Sequence, residues 1–203
     1  MHGVQEAMHA RLRVSHLLSS AEIRPFSLPP TAIFLVHHLT DPLPGQMAAN
    51  EAVRVRSQWE TAVRQQLTQQ LSQAARPEKG WLPSNAAAVL FSDEAEMLAC
   101  LTLALHRGDA RERWWWRRLL KQLHTASAFE LWQKRPFHLP AIFHYLTHWQ
   151  ETETTLALFS STETASMLAA LVKTNDIPHF PVTWEQTAAS SFELKQEAPI
   201  LTA

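Results

Sequence analysis

Glycine is scarce in this chain: Gly3, Gly45, Gly80 and Gly108 are the only four in 203 residues, and no two are neighbours. Phosphate-cradling loops need closely spaced glycines, because the backbone must turn tightly and approach its ligand without a Cβ in the way. The Walker and dinucleotide fingerprints are absent, which removes the common nucleotide-binding classes. Cysteine is scarcer still. A single residue, Cys100, excludes an internal disulfide scaffold and points to a reducing, cytoplasmic setting; its apolar surroundings mark it as a small core residue. An excess of one charge is missing too: 18 Lys and Arg stand against 19 Asp and Glu, so no global field draws the chain to nucleic acid or to an anionic membrane. The longest apolar run, Met97–Leu105, is far short of the roughly 20 residues of a membrane span. Met1–Val14 has no apolar stretch of the signal-peptide kind, so neither export nor a membrane span is expected.

What is present is a 46% share of apolar residues, enough for one core-forming domain. The first segment, Ala10–Ser15, alternates apolar and polar residues with the period of a half-exposed strand. The stretch from Thr31 to Leu39 is rich in strand formers and bounded by prolines on both sides, and Asp41-Pro42-Leu43-Pro44-Gly45 closes it as a stiff turn. From Asn50 to about Ala75, Val55, Trp59, Val63, Leu67 and Leu71 recur every four residues along one narrow stripe of a long helix whose other faces are glutamine-rich.

A break from Pro77 to Pro83 follows, with Trp81 expected to cover an edge of the core. Ala86–Phe91 is apolar and too short for periodicity to decide between strand and helix. Asp93 and Glu96 have capping-box spacing at the head of an apolar helix, and Gly108 suits its left-handed stop. Further helices are predicted over 110–124, 126–134 and 139–149, the last with Pro140 tolerated in its first turn. A short helix around 156–159 follows, then another started by a Ser160/Glu163 box. The expected fold is mainly α in an α+β arrangement. A small N-terminal two-stranded β element (about 9–39) packs on a helical bundle (about 48–174), forming one domain over 1–175, with an extended tail over 176–203.

The most informative feature is Trp114-Trp115-Trp116-Arg117-Arg118. At about 100° per residue, a helix cannot turn three adjacent indoles to one side. Trp115 and Trp116 share an arc with Leu119, Leu120 and Leu123, an ordinary core-facing stripe. Trp114 falls instead among Arg113, Arg117, Arg118 and Lys121. An outward indole ringed by cations describes an interface anchor, since Trp and Arg dominate the energetics of protein contacts. These five residues are the expected partner-binding site.

The residues also offer two other chemistries. Around this helix Arg107, Arg111, Arg113, Arg117, Arg118 and Lys121 outnumber Asp109 and Glu112, so a nucleic-acid surface over 110–124 is an alternative, with Trp114 stacking on a base. His144 and His148 stand one helical turn apart near His138, the spacing of a shared metal, which gives a metal-dependent enzyme as the second alternative. The intervening Tyr145-Leu146-Thr147 lacks a glutamate to act as general base. Asp93, Glu94 and Glu96 are explained by the helix dipole, and Ser160 by capping. With no activated nucleophile or tuned carboxylate pair, the chain reads as non-enzymatic and without a cofactor.

Several phrases together, Phe26-Ser27-Leu28-Pro29-Pro30, Ala32 to Val36, Leu39 to Gly45, and Ala88 to Glu96 leading to the tryptophan triplet, resemble accessory proteins of bacterial contractile injection systems, the phage-tail-like particles. The resemblance covers about residues 26–120 and transfers no site residue. It implies a cytoplasmic accessory or assembly factor whose partners are other proteins of the particle.

Overall fold

Prolines before and after Thr31–Leu39 leave that stretch extended, and its centre forms β1 (Ile33–Val36). The computed structural model describes residues 19–44, 53–123 and 127–176; the expected strand at 10–15 and the tail beyond 176 lie outside them. The strand paired with β1 is β2 (Ala88–Phe91), antiparallel, in the register Ile33↔Phe91, Phe34↔Leu90, Leu35↔Val89 and Val36↔Ala88. The ambiguous apolar run is thus a strand, and the sheet joins segments on either side of a long helix rather than two N-terminal neighbours. The class is mainly α with this small sheet. Backbone contacts gather the chain into two units, with the described residues among 19–76 and 82–92 in the first and those among 77–81 and 93–176 in the second.

In the first unit, α1 (Val53–Ser72) carries the predicted four-residue stripe. Trp59, Val63 and Leu67 are buried on it, against Ile23, Phe34, Val36, Leu39 and Leu43. Asp41 fixes how the proline turn meets this helix: one carboxylate oxygen accepts from the Trp59 indole N–H at 3.0 Å and from the Leu43 N–H at 3.0 Å. Just past the helix, Ala75 bonds to the free side of β2, donating to Ala88 O and accepting from Leu90 N, each at 2.9 Å. With a neighbour on both of its edges, β2 is protected from the pairing that an open strand invites. All four of its residues are buried.

The second unit is arranged around α2 (Glu94–Arg107), whose residues 95–104 are buried without exception. A helix that is apolar all round must be enclosed. Asp93 caps it, accepting from the Glu96 N–H at 2.8 Å, and Gly108 ends it at φ +79°, as the spacing predicts. The Trp-rich helix α3 (Trp114–Leu123) starts later than expected, because residues 110–113 form a turn. It is followed by α4 (Ala128–Gln133), a 3-10 turn (Pro136–His138), α5 (Leu139–His148), α6 (Thr152–Leu156) and α7 (Ser161–Thr174). The short helix thus precedes the expected 156–159. Helix α5 packs along α2. Trp132 of α4 is fully buried; its indole N–H donates to Thr102 Oγ1 at 2.9 Å, and its ring meets Phe143 and Phe159 at 5.5 and 5.0 Å. Ser160 and Glu163 make the complete reciprocal capping box ahead of α7.

Residues 78–81 form a tight hairpin, with Glu78 and Trp81 exchanging both backbone bonds at 2.9 and 3.0 Å. Lys79 and Gly80 both have positive φ, the conformation of a type I′ turn. Trp81 does not cover a core edge as expected; 52% of its surface is exposed. The turn explains the outcome, because it presses Gly80 rather than Trp81 onto Leu103 and Trp149. A Cβ at Gly80 would collide with Leu103 Cδ1 and lie 3.1 Å from Trp149 Cε3, and Leu103 is itself too buried to yield. Left-handed backbone adds about 1–2 kcal/mol for any L-residue, and overpacking about 1–3 kcal/mol more. Gly80→Ala is therefore expected to destabilise the protein by roughly 2–4 kcal/mol in urea denaturation. An unchanged midpoint would contradict this packing.

Candidate functional site

Helix α3 divides as its periodicity requires. Trp115 and Trp116 are sunk to 2% exposure each, Leu119 and Leu120 are half-buried, and Arg117 and Lys121 are exposed. Trp114 is half-buried, its ring edge-on to Trp115 at 5.5 Å and 88°. The third indole is therefore partly covered, where a fully outward ring was expected. The side chain of Arg118 lies outside the described residues.

The cationic rim is smaller than the sequence count suggests. Arg113 pairs with Asp109 one turn earlier, at 2.9 Å, and lays its guanidinium 5.9 Å over the Trp115 ring. Its charge is answered locally, so Arg113 secures the start of the helix and is not a free member of the rim. Arg107 is likewise paired, with Glu151 at 3.0 Å. What remains exposed around Trp114 is Arg117 and Lys121 on the helix, with Arg111 in the turn before it. No acidic residue occurs between Arg113 and Phe129. The exposed Glu112 beside Arg111 is the one carboxylate at its edge, so the patch is small and mainly cationic, with an aromatic edge inside it.

The histidines are placed differently from a metal centre. His138 turns Nε2 toward Glu94 Oε2 at 3.4 Å, His144 rests against the Tyr145 ring at 6.0 Å, and both His144 and His148 are exposed. Among the described residues no three His, Cys, Asp or Glu side chains gather where they could hold a metal ion. The carboxylates at the head of α2 serve structure. Asp93 accepts from the Tyr145 hydroxyl at 3.0 Å as well as capping the helix, and Glu94 forms an ion pair with Arg135. These contacts tie α2 to the 3-10 turn and to α5 across more than forty residues of sequence, a separation that no local pattern reveals.

Three exposed aromatics were missed by sequence reasoning, the first of them Phe26, whose ring lies 4.6 Å below the Arg64 guanidinium. Trp81 stands on the hairpin, and Phe137, at 73% exposure, stands on the 3-10 turn between Arg135 and His138. The signal for Trp81 was the Lys79-Gly80 pair, a left-handed turn that sets the direction of the next residue. Phe137 follows Pro136 and belongs to neither the α4 nor the α5 apolar stripe, which is the only sequence trace of its exposure.

No helix among the described residues is long and apolar enough to cross a membrane. Comparison of the chain with protein-family models, curated proteins and solved structures gives no match.

Cys100 carries the clearest electrostatic consequence. Burial pushes its thiol well above the ordinary value, the neighbouring Glu96 carboxylate adds to the rise, and Arg107 opposes it. A thiol kept protonated inside helix α2 is neither a nucleophile nor a metal ligand. Because its pKa is raised by folding, the associated stability is complete below the unfolded thiol's value of 9.0 and is lost as pH climbs beyond it. The native protein is expected to resist a disulfide-exchange reagent at neutral pH and to react stoichiometrically once unfolded. Rapid native labelling would contradict the burial.

Proposed function

We propose that this chain is a non-enzymatic protein-binding factor, an assembly or accessory component acting in the cytoplasm, and that α3 is its docking face. The observation that carries the reading is the division of that helix. Its anchor is a pair of deeply buried indoles, which leaves Trp114 half-covered beside exposed Arg117 and Lys121. A rigidly held aromatic edge loses little conformational freedom on binding, and flanking cations steer and orient an acidic surface. Acidic and aromatic groups are the expected complement on the partner. Within a phage-tail-like contractile particle, the setting suggested by the resemblance, that partner is another protein of the particle.

Nucleic acid is the less favoured occupant. Arg107 and Arg113 are neutralised within the fold, and phosphate backbones are bound by many unpaired cations acting together.

The test uses the exposed cations, since truncating half-buried Trp114 would also disturb packing. Arg117→Glu with Lys121→Glu is expected to leave thermal stability within about 0.5 kcal/mol, as for other surface changes. In pull-downs from the native host read by mass spectrometry, the same variant should retain its partner about tenfold less, on the order of 1.4 kcal/mol of affinity. Equal retention by variant and wild type would remove α3 from the interface. Purified protein that absorbs strongly at 260 nm, and binding that collapses as salt rises, would assign the face to nucleic acid instead.

A further inference from the structure

Phe26, in the first unit, is the most exposed large apolar side chain among the described residues, at 88%. It stands at the tip of a turn closed by the Leu28 N–H donating to Pro25 O at 3.1 Å, and Pro25 beneath it is buried. Arginines strap the segment that carries this turn onto α1: Arg56 donates to Ser20 O at 2.7 Å, and Arg64 donates to Glu22 O. Arg64 also lays its guanidinium over one face of the Phe26 ring, 4.6 Å from the ring centre. Single exposed apolar residues are ordinary on a protein surface. This ring differs in being fixed in place, with one face open, among charges that the fold leaves unanswered.

Arg24 and Arg64 bond to the main-chain carbonyls of Pro29 and Glu22, which engages their N–H groups without neutralising their charge. Neither forms an ion pair among the described residues. Arg64 Nε is buried with no hydrogen-bond partner, so part of that cation is held away from water with no acceptor, a cost that a nearby anion relieves through Coulomb attraction. Over the described residues of this unit Arg24, Arg54, Arg56, Arg64 and Arg76 stand against Glu22, Asp41 and Glu60. Asp41 is engaged by Trp59 and Leu43, and Glu60 pairs with Arg56 at 3.0 Å. No acidic residue occurs from Ile23 to Thr40 or from Thr61 to Pro77. We infer that the Phe26 turn is a second docking surface, which takes a carboxylate-bearing, aromatic-containing segment of another protein. The carboxylate pairs with Arg24 and Arg64, and a ring or a leucine packs on the open face of Phe26. Charge-assisted bonds from guanidinium to carboxylate are among the stronger polar contacts, and a ring already fixed loses little freedom when covered. The local cationic excess sets the sign of the partner. Two arginines are too few for a phosphate backbone, which is held by many cations acting together, and one ring inserts little apolar area into a lipid surface. The surface stands apart from α3, which belongs to the other unit.

The α3 face attracts the same chemistry, so the experiment uses the full chain in the Arg117→Glu, Lys121→Glu background, which removes the exposed cations of that helix. The probe is an immobilised panel of short peptides that combine glutamate or aspartate with phenylalanine, tyrosine or leucine, each paired with a counterpart in which glutamine or asparagine replaces the acid. Acidic members should retain the chain about tenfold better than their amide counterparts. Phe26→Ala and Arg24→Glu should each reduce that retention about tenfold, with the melting temperature unchanged because both side chains are exposed. Phe26→Tyr keeps the ring and should keep the binding. If Arg24→Glu lowers the melting temperature through its lost bond to Pro29 O, Phe26→Ala decides alone. Retention that ignores the change from acid to amide, retention that survives Phe26→Ala, or a panel that retains nothing would each overturn the inference. The same dependence on Phe26 and Arg24 found instead with a single-stranded DNA oligonucleotide or with phosphatidylserine vesicles would assign the surface to phosphate groups and overturn it too. Self-association in sedimentation equilibrium that disappears in Phe26→Ala would make the occupant a second copy of this chain, with the same consequence.

Discussion

Enclosure of a single helix sets the terms for the second unit. With residues 95–104 of α2 buried on every side, each element around it must turn an apolar stripe inward, and its own ends must be satisfied by specific groups rather than by water. Asp93 does this at one end and Gly108 at the other. The same Asp93 also holds Tyr145, and the one hydroxyl inside the helix, on Thr102, accepts from Trp132. An unpaired polar group at this depth costs about 1–3 kcal/mol, so these bonds select one packing of α4 and α5 from the many that apolar contact alone would allow.

Helix α3 illustrates what such packing leaves over. Ten residues bearing three consecutive indoles cannot all face inward, and the structure resolves the conflict by burying two rings and letting the third lean edge-on against its neighbour. Arg113 stabilises that arrangement from the side, bonded to Asp109 and laid over Trp115. What is left outward is a short cationic arc with an aromatic edge. Interface anchors have this character because a fixed ring offers area at low entropic cost, while its charged surroundings add orientation more than affinity.

Features governed by neighbours in sequence were legible before the structure. The Asp93 cap, the Gly108 stop, the Ser160 and Glu163 box and the Trp59, Val63, Leu67 stripe all depend on residues within one or two helical turns. The strand pairing was not, since Ile33–Val36 and Ala88–Phe91 are separated in the chain by a long helix, and Ala75 bridges β2 from the far edge. The direction of Trp81 depends on two left-handed residues before it, only one of them a glycine. At the candidate site, the burial of Trp115 and Trp116 was readable from the helical period. The loss of Arg107 from the patch was not, because Glu151 arrives from α6's N-terminal side, far along the sequence. The Arg113 and Asp109 pair does have helical i,i+4 spacing, yet a count of charges passes over it by treating every cation as free.

The central claim is the asymmetry of α3, and oxidative footprinting of its three tryptophans measures it most directly. In about 0.5 M salt, where charge contacts to the helix are screened, the account predicts that Trp114 is oxidised well before Trp115 and Trp116, which stay protected until global unfolding. Equal protection of all three rings, or faster oxidation of Trp115 or Trp116, would contradict it.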